Sequence, residues 1–363
     1  MTPILPAVKI TGIGSVTPYG PLAGLIPPSK LEPSVITAWK TTGLRRAFLV
    51  KPFRPADVVP GLKTRRLDRL SAWALVASSL AIKDAGIDLR QVDRSRVAVI
   101  FATSFGCVEL TAAFYQSAAA NGWSGTDPST FPETLANSPA SHVALFHGLR
   151  GPNITVSTKD FAGESALLQT ASLLRHGQAD LAIVLAGDTL TRAVYEWYEV
   201  ADLLSPACYN SDPLPEDCGF VPSEGVTALL LEPVGRRQVG TEARSYACLR
   251  RGHWAAGRQP VETIRGMLGG AVPSLTICAG NGGPCAASPI TTVAHEIAGH
   301  HAAIVPPQPV AAGLTDTGAL LHLVLALSNR PTNGLALLLG TSLGSSIGTS
   351  GNGGFAAVLL ELP

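Results

Sequence analysis

The sequence has few charged residues and almost no net charge. Of its 363 residues, 15% are charged and 46% are hydrophobic, and 27 Lys and Arg nearly balance 26 Asp and Glu to leave a net charge of +1. Such a chain has no global field that would attract nucleic acid or an anionic membrane, so we expect neither as a partner. The composition indicates a well-buried globular protein of one large or two merged domains.

Paired cysteines and long hydrophobic runs are also missing. None of the six cysteines lies in a C-x-x-C pair. They are scattered through the chain and no secretory leader is recognisable, so we predict reduced thiols and a cytoplasmic location. No apolar run reaches the roughly 18 residues that a membrane helix needs, so we predict no membrane span.

Motifs for metals and cofactors are absent from the sequence as well. The segment HEIAGH (295–300) has Gly299 where a zinc-binding H-E-x-x-H motif needs its second histidine. The segment GSSIG (344–348) matches the G-x-S-x-G pattern of hydrolases, but glycines follow it instead of a helix. There is no phosphate loop and no dinucleotide fingerprint. We therefore predict no metal and no cofactor.

Short aliphatic strands alternate with helical patterns along the chain. The predicted strands are 8–14, 97–104, 153–157, 181–187, 227–233, 274–280, 335–342 and 356–363, and the predicted helices are 69–88, 163–180 and 317–329. Continuous apolar strands indicate sheets that are covered on both faces. Their alternation with helices predicts an α/β fold.

A faint internal repeat divides the chain. LAIVLAG (181–187) is followed by TALLLEP (227–233), and LALLLGT (335–341) is followed by AAVLLELP (356–363). The same pair of strands thus closes each half, although chance similarity between aliphatic strands is an alternative explanation. We predict two related halves, residues 1–235 and 236–363, within one compact unit.

The segment VSTKDFAGES (156–165) has the pattern of a catalytic elbow without its usual nucleophile. A strand runs into a short turn and then into a helix, so a residue at the turn lies at the helix N-terminus. The partial positive charge there lowers the pKa of a thiol, which suits acyl transfer from a thioester. This turn contains Asp160 and no cysteine.

The whole chain resembles the β-ketoacyl synthases of the thiolase superfamily. Their pattern is G-P-N-x-x-V-S-T-A-C-A-S-G, a helix, and x-x-G-x-A-D. The chain matches it at Gly151, Pro152, Asn153, Val156, Ser157, Thr158, Gly163, Gly177, Ala179 and Asp180. The segments 8–20, 64–88 and 219–232 are similar to other parts of the family, while 245–275 looks trimmed. The resemblance implies a thiolase-like fold, in which two similar α/β halves form αβαβα layers.

The resemblance also implies that the catalytic set is missing. Synthases use a cysteine to carry the acyl chain and two histidines to decarboxylate the extender unit. Asp160 stands at the cysteine position, and Ala279 and Ala312 stand at the histidine positions. A carboxylate is a poor nucleophile toward a thioester, so Asp160 is best explained as a helix cap. His300, in AGHHAA (298–303), is the alternative for a displaced second histidine.

These losses are similar to those of the chain length factors of type II polyketide synthases. Such a subunit lacks the cysteine, has no independent activity, pairs with a competent ketosynthase and shapes the tunnel for a chain carried by acyl carrier protein. The implied partners are therefore a catalytic ketosynthase subunit, in a heterodimer, and acyl carrier protein. Chain length factors commonly carry Gln at the nucleophile position, so Asp160 is a departure that points to a less studied branch.

Two other functions remain open from the sequence. One is a homodimeric acyltransferase or decarboxylase that uses Asp160 or His300, and the other is a scaffold that binds acyl carrier protein. The basic segment KTRRLDRL (63–70) is either a solvated helix start or a docking spot for the acidic carrier.

The resemblance also gives candidates for the tunnel and the dimer interface. Bulky side chains at the end of a tunnel stop chain growth, although ordinary core packing is the alternative for each candidate. They are Phe105, Phe114, Phe131, Leu135, Asn137 and Phe161.

Overall fold

The computed structural model describes most of the chain. It describes residues 7–27, 29, 31, 33–37, 39, 45–158, 161–204, 220–235, 245–256, 260–279, 289–298, 303–305, 311, 314, 317–329, 333–341 and 354–362. Within these ranges the strands are β1 (Val8–Thr17), β2 (Gly20–Ala23), β3 (Ser34–Val35), β4 (Arg46–Ala47), β5 (Val97–Ala102), β6 (Asn153–Val156), β7 (Leu181–Asp188), β8 (Gly225–Pro233), β9 (Ala247–Ala256), β10 (Leu275–Cys278), β11 (Ala303–Val305), β12 (Gly334–Thr341) and β13 (Gly354–Leu362). The helices are α1 (Pro55–Val58), α2 (Arg69–Ala85), α3 (Val108–Asn121), α4 (Ser138–His147), α5 (Ala162–Arg175), α6 (Arg192–Val200), α7 (Pro260–Leu268), α8 (Pro289–Ala298) and α9 (Ala319–Asn329).

The main sheet contains the same strand arrangement twice. Its order is β11-β10-β12-β13-β9-β1-β8-β7-β5-β6. In the first block, β1 to β8 and β8 to β7 are antiparallel, and β7 to β5 and β5 to β6 are parallel. In the second block, β9 to β13 and β13 to β12 are antiparallel, and β12 to β10 and β10 to β11 are parallel.

The strand pairs that suggested an internal repeat therefore occupy equivalent places. They are β7 with β8 and β12 with β13, each an antiparallel neighbour pair. The two blocks join where β1 meets β9, through the partners of Val8, Lys9 and Ile10. Strand β9 was not predicted from the sequence, because Arg250, Arg251 and His253 interrupt its apolar pattern. The boundary between residues 235 and 236 remains a prediction.

Helices cover both faces of each block. Leu167 of α5 and Leu320 of α9 belong to a core that includes strands from both blocks, so these two helices form a middle layer. Trp73 of α2 lies in a core on the opposite face of the first block. Ile264 of α7 lies in a core on the opposite face of the second block. The α/β fold with αβαβα layers is confirmed.

The position of α2 on β1 depends on two glycines. A Cβ at Gly14 would lie 2.1 Å from the Ala77 carbonyl oxygen, and one at Gly12 would lie 2.3 Å from that of Ala81. Any larger residue at either place would push the helix off the strand. The helix itself starts at Asp68, whose carboxylate accepts a hydrogen bond from the Leu70 N–H.

Membrane helices, metal sites and thiols can be examined in the parts of the chain that the structure describes. There, no helix combines the length and the apolar character that crossing a membrane requires. No cluster of three or more His, Cys, Asp or Glu side chains in these ranges could hold a metal ion. Cys107, Cys248 and Cys278 are free thiols, while Cys208, Cys218 and Cys285 lie outside the described residues.

Candidate functional site

The predicted elbow lies between β6 and α5, and the structure describes Ser157, Thr158 and Phe161 of this connection. Phe161 precedes the helix with φ 38° and ψ 44°, in the left-handed region. Such a backbone costs a non-glycine residue about 1–3 kcal/mol and tends to be kept at functional sites. Lys159 and Asp160 lie outside the described residues, so the role of Asp160 as a helix cap stays a prediction. On either side of these two residues lie the predicted strand, as β6, and the predicted helix, as α5.

The first turn of α5 is buried against the second half of the chain. Gly163 lets α9 approach, because a Cβ at this position would lie 3.1 Å from the Cβ of Ala319. The carboxyl group of Glu164 lies so close to Gly340, near the end of β12, that any side chain at 340 would overlap it. Burial raises the pKa of Glu164 to about 8. This carboxyl group next to the elbow is therefore mostly protonated at pH 7.

A second buried carboxylate, Asp188, lies at the end of β7 and binds two other segments. Its Oδ1 accepts hydrogen bonds from the Thr103 hydroxyl at 2.5 Å and from the Phe105 N–H at 2.9 Å. The Ser104 N–H lies 3.1 and 3.0 Å from the two carboxylate oxygens. The Thr317 hydroxyl donates to Oδ2 at 3.1 Å. Asp188 thus joins the loop after β5 to the segment that leads into α9.

Aromatic rings gather beside this carboxylate. The ring of Phe105 makes edge-to-face contacts with Trp197 and Tyr198 of α6, each with the ring centroids 6.1 Å apart. Tyr198 in turn packs on Phe220 at 4.9 Å. Such rings provide a rigid apolar wall of the kind that can line a tunnel.

The structure describes Ala279, the residue that the resemblance places at the first histidine position. Ala279 follows the strand directly, is buried, and donates its N–H to the Leu339 carbonyl oxygen at 2.7 Å. A methyl group can neither transfer a proton nor stabilise an enolate by a hydrogen bond. Ala312 and His300 lie outside the described residues, so the assignment of the second histidine position stays a prediction.

A separate group of rings is exposed on α3 and the 3-10 segments that follow it. We call Phe114, Tyr115, Trp123 and Phe131 the aromatic patch. Phe114 lies at its centre, with ring centroids 5.9 Å from Tyr115 and from Phe131 and 6.5 Å from Trp123. Trp123 is 68% exposed and Phe131 is 49% exposed. Contiguous exposed rings of this kind mark an interaction surface.

The ring contacts of the described residues place the phenylalanine candidates in different groups. Phe114 and Phe131 meet in the aromatic patch, Phe105 belongs to the rings beside Asp188, and Phe161 forms the elbow. Two candidates border the patch in the chain. They are Leu135, which is exposed, and Asn137, which precedes α4. That any of the six lines a tunnel stays a prediction.

A cleft of about 630 Å³ lies beside the start of α2. Trp39 and Leu49 contribute to its walls. At its edge, the Arg69 guanidinium lies 3.2 Å from both Glu109 and Glu224 and donates to the Leu190 carbonyl oxygen at 3.0 Å. These contacts fix Arg69 as part of the structure of the cleft wall.

Sequence reasoning missed Asp188, Thr317 and Glu164. A signal existed for Asp188, because an acidic residue directly follows the apolar run LAIVLAG. Glu164 was read only as part of a helical pattern, and burial makes it unusual. No signal marked Thr317, since its partner is 129 residues away.

One family model and several known proteins match the chain. The model of the β-ketoacyl synthase N-terminal domain matches residues 7–236. The 3-oxoacyl-[acyl-carrier-protein] synthase 2 of Vibrio cholerae is 28% identical over 189 residues, which are 50% of this chain and 45% of that protein. Nodulation protein E of Rhizobium leguminosarum bv. trifolii is 28% identical over 206 residues, 55% of this chain and 51% of that protein. The chain thus spans about half the length of the curated relatives it matches.

Solved structures share the fold over nearly the whole chain. The ishigamide ketosynthase/chain length factor aligns with a TM-score of 0.71 and 20% identity, covering 98% of this chain and 99% of that one. A type II PKS acyl-carrier protein in complex with its ketosynthase bound to the hexaketide aligns with a TM-score of 0.74, 18% identity and coverage of 99% and 100%. At this identity the likeness shows the fold alone. Since the family model covers well over half of the residues, the chain belongs to the β-ketoacyl synthase family.

Proposed function

We propose that this chain is a non-catalytic ketosynthase-like subunit of the chain length factor type. In this role it pairs with a competent ketosynthase and shapes the tunnel in which a polyketide or polyene chain grows on acyl carrier protein. The observation that carries the proposal is the aromatic patch, because it offers a surface for a partner.

The aromatic patch has the character of an interface core. Trp, Tyr and Phe are enriched in such cores and contribute much of the binding energy. Strand β6 supports the same conclusion, since it is the last strand of the sheet and pairs only with β5 among the described strands. An exposed strand edge is available for a second chain. Both features belong to the first half of the chain.

The state of the candidate site supports a role without independent chemistry. Phe161 precedes α5 in the left-handed conformation, and the first turn of this helix is buried. By the resemblance, Ala279, which follows β10 and is buried, stands where a synthase has its first histidine, and its methyl group cannot transfer a proton. A scaffold that keeps its shape without its bases can still form one wall of a shared tunnel.

The exposed basic residues after α1 fit a carrier protein as a second partner. Lys63, Arg65 and Arg66 are exposed in front of α2. Positive side chains on a rim attract an acidic partner and accelerate its association. The solved complex of a ketosynthase with an acyl-carrier protein has the same fold as this chain, which agrees with this assignment.

The Asp160→Ala variant tests the absence of independent chemistry. We expect the complex of this variant with a cysteine-containing ketosynthase to assemble and to decarboxylate malonyl acyl carrier protein within twofold of the wild-type rate. A control in which the partner's cysteine is replaced by alanine should lose chain elongation. A variant complex that stays assembled but loses decarboxylation would show that Asp160 takes part in catalysis, and the proposal would be wrong.

A further inference from the structure

We propose that Asp188 is a positioning residue that holds the aromatic wall at Phe105 and the C-terminal half of the chain in one fixed arrangement, and so determines the length of the chain that the tunnel accepts. The inference rests on the proposed function, because it concerns the tunnel of that same site.

Asp188 binds the loop that follows β5. Thr103, Ser104 and Phe105 each direct a donor at Asp188, at distances between 2.5 and 3.1 Å. Thr103 in turn accepts the Gly106 N–H at 2.9 Å. The loop therefore has little freedom to move away from the end of β7.

Asp188 also binds Thr317, which belongs to the second half of the chain. Thr317 donates to the Asp188 carboxylate at 3.1 Å and lies just before α9. That helix packs closely on α5 at Gly163, two residues after the elbow. A shift of Thr317 would change how α9 lies against α5.

The aromatic wall depends on the same loop, because Phe105 lies in it. The Phe105 N–H donates a hydrogen bond to Asp188, and the Phe105 ring contacts Trp197 and Tyr198. These two residues belong to α6, which starts four residues after β7 ends. One buried side chain therefore fixes the loop that carries Phe105 and lies near the start of the helix that carries its ring partners.

A carboxylate suits this place because donors reach both of its oxygens. Asp188 is 4% exposed, so a lost hydrogen bond there would leave a buried group without compensation by water. Asparagine keeps one acceptor for the loop after β5 and turns an N–H₂ group toward Thr317, whose oxygen can accept it. Alanine removes every contact. Asp188→Asn is thus the conservative variant and Asp188→Ala the disruptive one.

The chain offers a matched pair of variants for the test. Thr317→Val removes the hydroxyl that binds Asp188 and keeps the volume of the side chain. Thr189→Val is the control, because Thr189 is equally buried beside Asp188 and its hydroxyl contacts no partner among the described residues. Both variants lose one buried hydroxyl. The Thr317 hydroxyl also lies 2.9 Å from the Leu314 carbonyl oxygen, so Asp188→Ala, which leaves that contact in place, is the variant that isolates the carboxylate.

The variants are compared by amide hydrogen exchange and by the length of the products. The first is amide hydrogen exchange of the isolated full chain, read in a peptide containing Leu314 and Thr317 and in one containing Ser104 and Phe105. We expect Thr317→Val to exchange at least fivefold faster in the first peptide, Asp188→Ala at least tenfold faster in both, and Asp188→Asn within threefold of wild type near Phe105. The second is the product length of the reconstituted complex, where Thr317→Val should raise products of other lengths at least threefold.

The outcomes separate this inference from the proposed function. Wild-type exchange in Thr317→Val, or an assembled Thr317→Val complex with the same products as Thr189→Val, would overturn it. If the wild-type chain pairs with no ketosynthase, the proposed function fails, and the exchange of the isolated chain still decides whether Asp188 holds the two segments. If Asp188→Ala does not fold, the comparison of Thr317→Val with Thr189→Val gives the result.

Discussion

Replacing Phe131 by glutamate is expected to weaken pairing with a ketosynthase by at least a hundredfold. Phe131 lies in the 3-10 segment Pro128–Thr134 and contacts Phe114 at the centre of the aromatic patch. Truncating an aromatic side chain in an interface core costs about 2–4 kcal/mol, and a buried, unpaired carboxylate adds a desolvation penalty. A loss of about 3 kcal/mol corresponds to roughly a hundredfold in affinity.

The fold should survive this change, because half of the Phe131 side chain is in contact with solvent. We expect the thermal midpoint of the isolated chain to change little, since surface substitutions cost about 0.5 kcal/mol or less. The matched control is Val272→Glu, because Val272 is 65% exposed and lies in the second half, away from the patch in the chain. The measurement is the dissociation constant of each variant with the same ketosynthase. Equal affinities for Phe131→Glu and wild type would show that the patch is not the interface.

Ionisation of the buried Glu164 side chain is expected to make the folded chain less stable as the pH rises. Burial raises the pKa of this group from 4.5 to about 8 in the folded chain. The folded state then holds the proton more tightly than the unfolded state, so the group contributes stability below pH 4.5 and that contribution is lost as pH rises through 8. The loss is about 1.4 kcal/mol per pH unit in this window and about 5 kcal/mol in total.

Glu164→Gln isolates this contribution, because glutamine has a similar shape and does not ionise. We expect the free energy of unfolding of the variant, minus that of wild type, to increase between pH 4.5 and 8 and to level off above 8. Urea denaturation at a series of pH values measures this difference and cancels the groups that titrate equally in both proteins. If the difference in unfolding free energy stayed constant between pH 4.5 and 8, the pKa of Glu164 would be the same in the folded and the unfolded chain. The proposed effect of burial on this group would then be wrong.

The sequence predicted the fold because the fold depends on local patterns. Apolar strands that alternate with helices indicated the α/β class, and the resemblance to the β-ketoacyl synthases implied the αβαβα layers. The similarity of the pair LAIVLAG and TALLLEP to the pair LALLLGT and AAVLLELP indicated that β7–β8 and β12–β13 are equivalent. The strand and the helix that flank the predicted elbow were also predicted, since they are neighbours in the chain. Strand β9 was missed because charged residues occupy its exposed positions.

The candidate site was predicted less completely because its contacts are distant in sequence. Asp188 meets Thr103 across 85 residues and Thr317 across 129 residues. The contact between Glu164 and Gly340 joins the two halves of the chain, and no local pattern marks it. The separation of Phe105 from the patch of Phe114 also depends on how the helices pack, so a resemblance could name these rings without showing which of them meet.

The mass of the native protein, purified from its own host with every co-purifying chain identified, tests the central claim most directly. The account predicts a one-to-one complex with a ketosynthase that carries the active-site cysteine. A homodimer without such a partner would contradict it and would make Asp160 and His300 the residues to examine for a reaction of the chain's own.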